Sequence, residues 1–230
     1  MSEFIFFVGP SAYGLSRPAQ QLLADHRIES PVRRGDVARV VHDRRNSEPA
    51  SLVIVDGNFH QCLAVGHVEL RRALEAGWTV WGLASMGAIR AWEMRDLGMR
   101  GFGDVYRSFA CEDDFRDDEV TLLHQPEASY RAVSEPLVHL RLAARSLRRE
   151  GLLGARGREA VIADLANRWY GERTVALFTR LVLAHADAGQ ETAIADHLAD
   201  FSRFRQKTRD LEHFLGAVSA QTLSPGEQCR

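Results

Sequence analysis

Ser85 lies at a point where an apolar run passes directly into a helical pattern, and a hydroxyl at such a corner can do chemistry. The run Trp78–Leu83 has the aromatic and β-branched character of a buried strand, and a helix is predicted from Gly87 onward. One interpretation is a nucleophile elbow, in which a serine on a tight strand-to-helix turn faces an oxyanion hole. Gly87 is the small residue that an elbow has two positions after its nucleophile, but Leu83 is too large for the position two before it. The other interpretation is a helix N-cap, which the pattern alone favours because serine is common there.

Other polar side chains occur where loops are expected to meet helices. Asp56 follows a predicted strand and is either a ligand-binding carboxylate or a helix cap. His67 and Glu69, near a helix start, are either an acid/base pair or exposed charges of a first turn. Arg90 and Glu93 are three residues apart, which suits an ordinary ion pair, although Arg90 also lies close enough to the helix start to contact an anion there.

Cofactor and metal motifs do not stand out. The segment CEDDFRDDEV, residues 111–120, suits a magnesium site, a solvated loop or a contact with a basic partner, and the sequence alone does not choose. The stretch GMRGFGDVY is not a Rossmann fingerprint because no strand is predicted before it, and the loop at 9–11 lacks the Gly-Lys-Ser/Thr end of a P-loop. We therefore predict neither a cofactor nor a metal, and phosphate binding at the strand-end loops remains a minor alternative.

The elements that must position these residues alternate in the first half of the chain. Apolar strands at about 4–8, 51–55 and 78–83 are separated by helical patterns, which predicts an α/β fold with a parallel sheet and helices on both faces. The loops after these strands would then meet at one edge, where a helix N-terminus favours an anion.

The second half has apolar residues at helical spacing only. We predict an α/β core over residues 1–134, a helical subdomain over 135–218 and a flexible tail over 219–230.

Composition excludes several classes of protein. A net charge of −2, with 45% hydrophobic and 26% charged residues, indicates a folded soluble protein without a general affinity for nucleic acid or membrane surfaces. No run is long enough to span a membrane, and the start of the chain lacks the basic region of a signal peptide. Three cysteines without metal-ligand spacing are typical of a reduced, cytoplasmic protein.

A series of short motifs, taken in order, resembles the TfuA-like family over about Phe4 to Arg141. Its most distinctive part is Ser-Met-Gly-Ala-hydrophobic-Arg-Ala followed by a glutamate two residues later. The motifs are GPS (9–11), Gly35-Asp36, VIVDGNF (53–59), VGHVEL (65–70), LASMGAIRAWEM (83–94), LGMRGFGDVY (97–106), DDEV (117–120) and YRAVSEPLVHLR (130–141).

This resemblance implies a companion of YcaO enzymes, which activate peptide amides with ATP and install thioamides in a precursor peptide. The TfuA-like partner would supply sulfide by hydrolysing a thiocarboxylate on a ThiS-like sulfur carrier. The alternative is a non-catalytic adaptor that brings the YcaO enzyme together with its peptide or carrier.

A thiocarboxylate is an anion and a poor electrophile, so its hydrolysis needs a cation and hydrogen-bond donors in one place. We expect Ser85 to attack or to orient a water, His67 to carry the proton, and Arg90 to neutralise the anion. Glu93 would hold Arg90, and Asp56 would orient His67. The loops at the strand ends and the acidic motif are assigned to substrate binding: Gly9, Pro10, Ser11, Gly57, Phe59, Met86, Gly87, Asp117, Asp118 and Glu119.

Overall fold

A computed structural model of the chain describes residues 3–58, 62–111, 116–125 and 130–223. Within this part the strands form one parallel sheet in the order β2-β1-β3-β4-β5, which confirms the predicted α/β class. The strands are β1 (Phe4–Phe7), β2 (Arg27–Glu29), β3 (Ser51–Ile54), β4 (Thr79–Leu83) and β5 (Arg100–Phe102). The three predicted strands are the central ones, and nearly all of their residues are buried because a parallel sheet is covered on both faces.

The two edge strands, β2 and β5, were not predicted from the sequence. Each has only three residues and keeps part of its surface exposed, so neither shows an apolar run. The glycine-rich stretch GMRGFGDVY follows a 3₁₀ turn, Arg95–Leu97, and not a strand, but it contains β5, which the sequence did not indicate, and Gly103 begins the next helix.

The chain divides into two compact units. The first comprises residues 1–117, 128–130 and 207–230, and the second comprises residues 118–127 and 131–206. The helices are α1 (Arg17–Ala24), α2 (Asp36–Asp43), α3 (His67–Glu75), α4 (Met86–Glu93), α5 (Gly103–Cys111), α6 (Leu137–Arg149), α7 (Ala155–Ala166), α8 (Val175–His185), α9 (Glu191–Ala199) and α10 (Gln206–Ser219). None of the helices in the described part is long and apolar enough to cross a membrane.

The last helix belongs with the sheet, whereas the sequence grouped it with the helical subdomain. Leu211, Phe214 and Leu215 of α10 are buried in one cluster with α1 and with one face of the sheet. Phe214 makes edge contacts with the rings of Phe6 and Trp81 on that face. The helical pattern of α10 is clear in the sequence, but the surface on which it packs is not. Part of the predicted tail, 224–230, lies outside the described residues.

The second unit is built from α6 to α9 around an apolar core, with buried ion pairs near it. Glu135 is 3% exposed and binds the ring of His139 and the guanidinium of Arg205. Burial raises the pKa of Glu135, but the hydrogen bonds and charges of these two partners outweigh burial and hold the pKa below its usual value. This carboxylate therefore joins α6 to the segment before α10.

Two cysteines fall within the described residues. Cys62 is a free, exposed thiol, while Cys111 is disulfide-bonded, so the prediction of fully reduced cysteines is wrong at Cys111.

Candidate functional site

The order of the strands reverses between β1 and β3, and in parallel α/β sheets ligands bind beside such a switch point. Asp56 follows β3 there and is 2% exposed. One carboxylate oxygen, Oδ2, accepts the backbone N–H groups of Gly9 and Ser11, both at 2.9 Å. The other, Oδ1, accepts the Ser11 hydroxyl at 2.8 Å. Asp56 therefore fixes the loop after β1. Its two carboxylate oxygens bind that loop and not His67.

The corner after β4 is a strained turn. Ala84 has a φ of +63°, and the Ser85 N–H donates to the Leu83 carbonyl at 2.7 Å, which is the hydrogen bond of a γ-turn. A positive φ at a buried alanine costs free energy and marks a place where the surrounding structure imposes the conformation. The small residue that precedes Ser85 is Gly82, three positions before it, whereas an ordinary elbow has its small residue two positions before the nucleophile. The small residues that allow close packing are Gly82 and Gly87, so Leu83 is not in the critical position.

Ser85 occupies the N-cap position of α4, but its side chain makes no capping hydrogen bond. Its carbonyl accepts the N–H groups of Ala88 and Ile89, while the side chain is buried, the residue being 1% exposed. Among the residues that the structure describes, the Met86 N–H has no acceptor. A buried hydroxyl that does not cap lies next to an unused N–H donor at a helix N-terminus, as in an oxyanion hole.

The predicted substrate-binding loops come together at this edge. A Cβ placed on Gly57 would lie 2.2 Å from the sulfur of Met86, so the loop after β3 packs against the first residue of α4. Pro10 begins a short 3₁₀ helix, Pro10–Ala12, in the loop that Asp56 holds. Phe59 lies outside the described residues.

His67, Arg90 and Glu93 form one cluster. Glu93 contacts His67 Nε2 at 2.8 Å and accepts a hydrogen bond from Arg90 Nη1 at 2.6 Å. Arg90 Nε donates to the Val65 carbonyl at 3.1 Å, and the Arg90 side chain is 16% exposed. The ion pair of Arg90 with Glu93 is present as expected, but Glu93 holds His67, the role that the sequence gave to Asp56.

Glu69 does not form an acid/base pair with His67. Its carboxylate accepts the backbone N–H groups of Gly35 and Gly66, and it closes the N-terminus of α3.

Two residues of the acidic motif at 117–119 form separate ion pairs. Asp118 and Glu119 belong to the second unit, where Arg173 binds Asp118 at 2.7 Å and Arg141 binds Glu119 at 2.6 Å. Asp117 is exposed. Within the described ranges, no group of three or more His, Cys, Asp or Glu side chains is arranged to hold a metal ion.

Lys207 is a buried cation at the same edge that the sequence reasoning missed. It is 2% exposed, belongs to the first unit, and its Nζ lies 3.9 Å from Asp56 Oδ1. A signal was available, because Lys207 is the single lysine of the sequence and all the other residues in the total of 29 lysines and arginines are arginines. All the other positively charged Lys or Arg side chains are arginines, so the single lysine is a chemically distinct choice at its position.

The role of Asp56 in the loop after β1 can be tested by its removal. Asp56→Ala leaves two buried N–H groups without their acceptor, so we expect the free energy of unfolding to fall by about 3 kcal/mol. Asp56→Asn retains an acceptor oxygen and should cost about 1 kcal/mol. Denaturant unfolding measures both, with Asp96→Asn as the control, because the Asp96 side chain is 84% exposed. Equal, small losses for all three variants would contradict the structural role.

The chain was compared with models of known protein families and with curated proteins. A family model described as TfuA-like protein matches residues 56–174, just over half of the chain. The matched segment begins at Asp56 and contains Ser85 and the cluster of His67, Arg90 and Glu93. No curated protein matches the chain.

Proposed function

Because the chain belongs to the TfuA-like family, we propose that it is an accessory protein of a YcaO-type enzyme in peptide thioamidation. It acts in the cytoplasm on a ThiS-like sulfur carrier, hydrolyses the carrier's thiocarboxylate, and supplies sulfide for the precursor peptide. The observation that carries the hydrolase part is the Ser85 hydroxyl, which is buried at a strained corner and makes no capping hydrogen bond. A serine whose only role is to stabilise the start of its helix would use that hydroxyl as a cap.

The chemistry requires stabilisation of negative charge. The substrate is already an anion, and attack at its carbonyl carbon adds charge to the oxygen and sulfur. The N-terminus of α4 offers the Met86 N–H and the positive end of a helix dipole at the place where this charge would develop. Burial increases the effect because fewer water molecules screen the interaction.

The reaction can be written so that atoms and charge balance. Ser85 Oγ attacks the thiocarboxylate carbon, the C–S bond breaks, and the sulfur leaves with a proton as hydrogen sulfide or its anion. Water then hydrolyses the resulting ester and regenerates the serine; if Ser85 only orients the water, the overall change is the same. A thiocarboxylate and one water give a carboxylate and one hydrogen sulfide. His67, held by Glu93, is the proposed proton carrier.

Sulfide release by the isolated protein tests this function. We expect the purified chain to release sulfide from a thiocarboxylated carrier without the YcaO enzyme or ATP, because every step uses its own residues and water. A sulfide-reactive fluorophore measures the rate, and the carrier in its carboxylate form is the control. Release that requires both the YcaO enzyme and ATP would instead favour the adaptor function.

A further inference from the structure

Two aliphatic side chains are exposed beside the turn at 34–35. Leu63 is 65% exposed and Val68 is 57% exposed. The Leu63 carbonyl accepts the Arg34 N–H at 2.9 Å, and Glu69, the neighbour of Val68 on α3, accepts the Gly35 N–H at 3.0 Å. Both aliphatic residues are therefore held next to the same turn. Exposed apolar side chains that are grouped and rimmed by polar residues mark interaction surfaces, whereas isolated ones are ordinary.

Exposed arginines surround these two side chains. Arg33 and Arg34 are exposed in the turn, and Arg72 is exposed one helical turn after Val68 on α3. Within the described ranges, none of these three guanidinium groups forms an ion pair. The whole chain has a net charge of −2, so this local excess of positive charge does not follow from a basic composition. The apolar–basic patch consists of Leu63, Val68, Arg33, Arg34 and Arg72.

The carboxylates nearest to the apolar–basic patch bind other groups. Asp36 accepts the backbone N–H of Arg33 at 2.9 Å, and Glu69 closes the N-terminus of α3. Glu75 pairs with Arg71 at 3.3 Å. Because the acids of the chain leave the three guanidinium groups unpaired, a second molecule that presents carboxylates here gains an attraction at each of them. Charge complementarity therefore selects an acidic partner.

The apolar–basic patch adjoins the cluster of His67, Arg90 and Glu93. His67 directly precedes Val68, and its Nε2 lies 2.8 Å from Glu93. The carbonyl of Val65, two residues after Leu63, accepts the hydrogen bond from Arg90 Nε. A protein seated on the patch would lie next to the proposed proton carrier.

We propose that the apolar–basic patch is the docking surface for the sulfur carrier, which binds through a face with carboxylates around an aliphatic centre. That the partner is the carrier rests on the proposed function. Leu63 and Val68 form the desolvated centre of the interface, and the arginines form its polar rim. Arginine suits this rim because a guanidinium binds a carboxylate through two parallel hydrogen bonds. The positive charge also speeds the encounter with an acidic protein.

Cys62 gives a direct report on this surface, because it is a free, exposed thiol next to Leu63. We expect the carrier in its carboxylate form to slow the alkylation of Cys62 by iodoacetamide along a saturable curve, since a docked protein covers the thiol. Mass spectrometry of the peptide that contains Cys62 measures the rate. A rate that the carrier does not slow would overturn the proposal.

Substitutions in the patch test its two kinds of side chain. Val68→Asp and Arg34→Glu should each raise the Kd for the carboxylate-form carrier about 10- to 100-fold, the range for a central interface residue, as measured by calorimetry. Both changes are at exposed positions, and an aspartate is favourable in the first turn of α3, so the melting temperature should stay the same. The Kd of the wild type should also rise with salt, because exposed charges are screened.

Matched controls lie elsewhere in the same unit. Leu97→Asp changes another exposed aliphatic side chain, 54% exposed before β5, and Arg17→Glu changes another exposed arginine, at the start of α1. Both controls should bind the carrier with the wild-type Kd. An equal loss of affinity in the controls would show that net charge alone governs binding and would overturn the proposal.

The rate of sulfide release separates docking from chemistry. Val68→Asp should raise the KM for the thiocarboxylated carrier about 10- to 100-fold and leave kcat unchanged, because Val68 takes no part in the reaction. A Val68→Asp protein with wild-type Kd and KM would overturn the docking surface and leave the proposed function intact. Carrier binding that depends on Val68 and Arg34, in a protein that releases no sulfide, would support the docking surface and contradict the hydrolase function. If both variants lose binding to the YcaO enzyme and keep binding to the carrier, the proposal is overturned in favour of docking of that enzyme.

Discussion

Ser85→Gly is expected to abolish nearly all sulfide release while leaving the melting temperature almost unchanged. The hydroxyl makes no capping hydrogen bond, so the helix loses little when it is removed. Glycine is also well tolerated at the N-cap, where it costs only a few tenths of a kcal/mol relative to serine, about 0.3 kcal/mol. If Ser85 attacks the thiocarboxylate or positions the water, the rate should fall by roughly 10³-fold or more, as for other catalytic serines.

The measurement is the rate of sulfide release at saturating thiocarboxylated carrier, with the folded fraction determined by circular dichroism. Ser85→Ala should behave like Ser85→Gly in activity. A folded Ser85→Gly protein with near-normal sulfide release would rule out a catalytic hydroxyl and leave Ser85 with a structural role.

The chain provides a true cap as a matched control. The Thr174 side chain accepts the Leu177 N–H at 3.1 Å at the start of α8. Thr174→Ala should therefore lower the free energy of unfolding by about 1 kcal/mol. Its rate of sulfide release per folded molecule should stay at the wild-type value. Ser85→Gly is thus expected to lose activity and keep its stability, whereas Thr174→Ala is expected to lose stability and keep its activity.

The central strands of the sheet could be predicted from the sequence because buried parallel strands consist of continuous apolar runs. β1, β3 and β4 satisfy this pattern, and the rule that loops meet at the carboxyl ends of strands then places Asp56 and Ser85 together. β2 and β5 do not satisfy it, since a three-residue edge strand with exposed positions has no distinctive pattern.

The partners of the site residues were harder to predict than the residues themselves. Asp56 was predicted to face His67, but it holds the loop after β1, because which oxygen meets which N–H depends on packing of the loops. Glu119 was assigned to substrate binding, yet it pairs with Arg141 on a helix that lies later in the chain. Lys207 comes from the last helix, and no periodicity in the sequence shows that α10 returns to the sheet.

The γ-turn is a further feature that pattern matching cannot supply. An elbow motif requires a small residue two positions before the nucleophile, which is position 83 here. In this turn the small residue is instead Gly82, three positions before Ser85. The structural requirement is the close approach of α4 to the strands, which the glycines reveal once their surroundings are known.

Gly87→Ala is expected to destabilise the protein more than any other substitution considered. A Cβ at this position would lie 1.7 Å from the carbonyl oxygen of Ile54 and 2.6 Å from its carbonyl carbon. Both atoms are backbone of a central strand that is paired on both sides, so they cannot move aside without disrupting the sheet. The start of α4 must instead move away from β3, and with it the Ser85 corner. We expect the free energy of unfolding to fall by about 4 kcal/mol or more, measured by denaturant unfolding.

Two other glycines make this expectation specific to the backbone contact. Gly57→Ala also introduces an overlap, 2.2 Å from the Met86 sulfur, but that side chain is flexible and can turn away, so the loss should be clearly smaller. Gly216→Ala, inside α10, meets nothing within 4 Å and should stabilise the protein by about 0.5–1 kcal/mol through helix propensity. The expected order of stability is therefore Gly216→Ala above the wild type, then Gly57→Ala, then Gly87→Ala. A Gly87→Ala protein as stable as Gly57→Ala would show that α4 does not pack directly on the β3 backbone, and the strained corner that carries Ser85 would lose its physical cause.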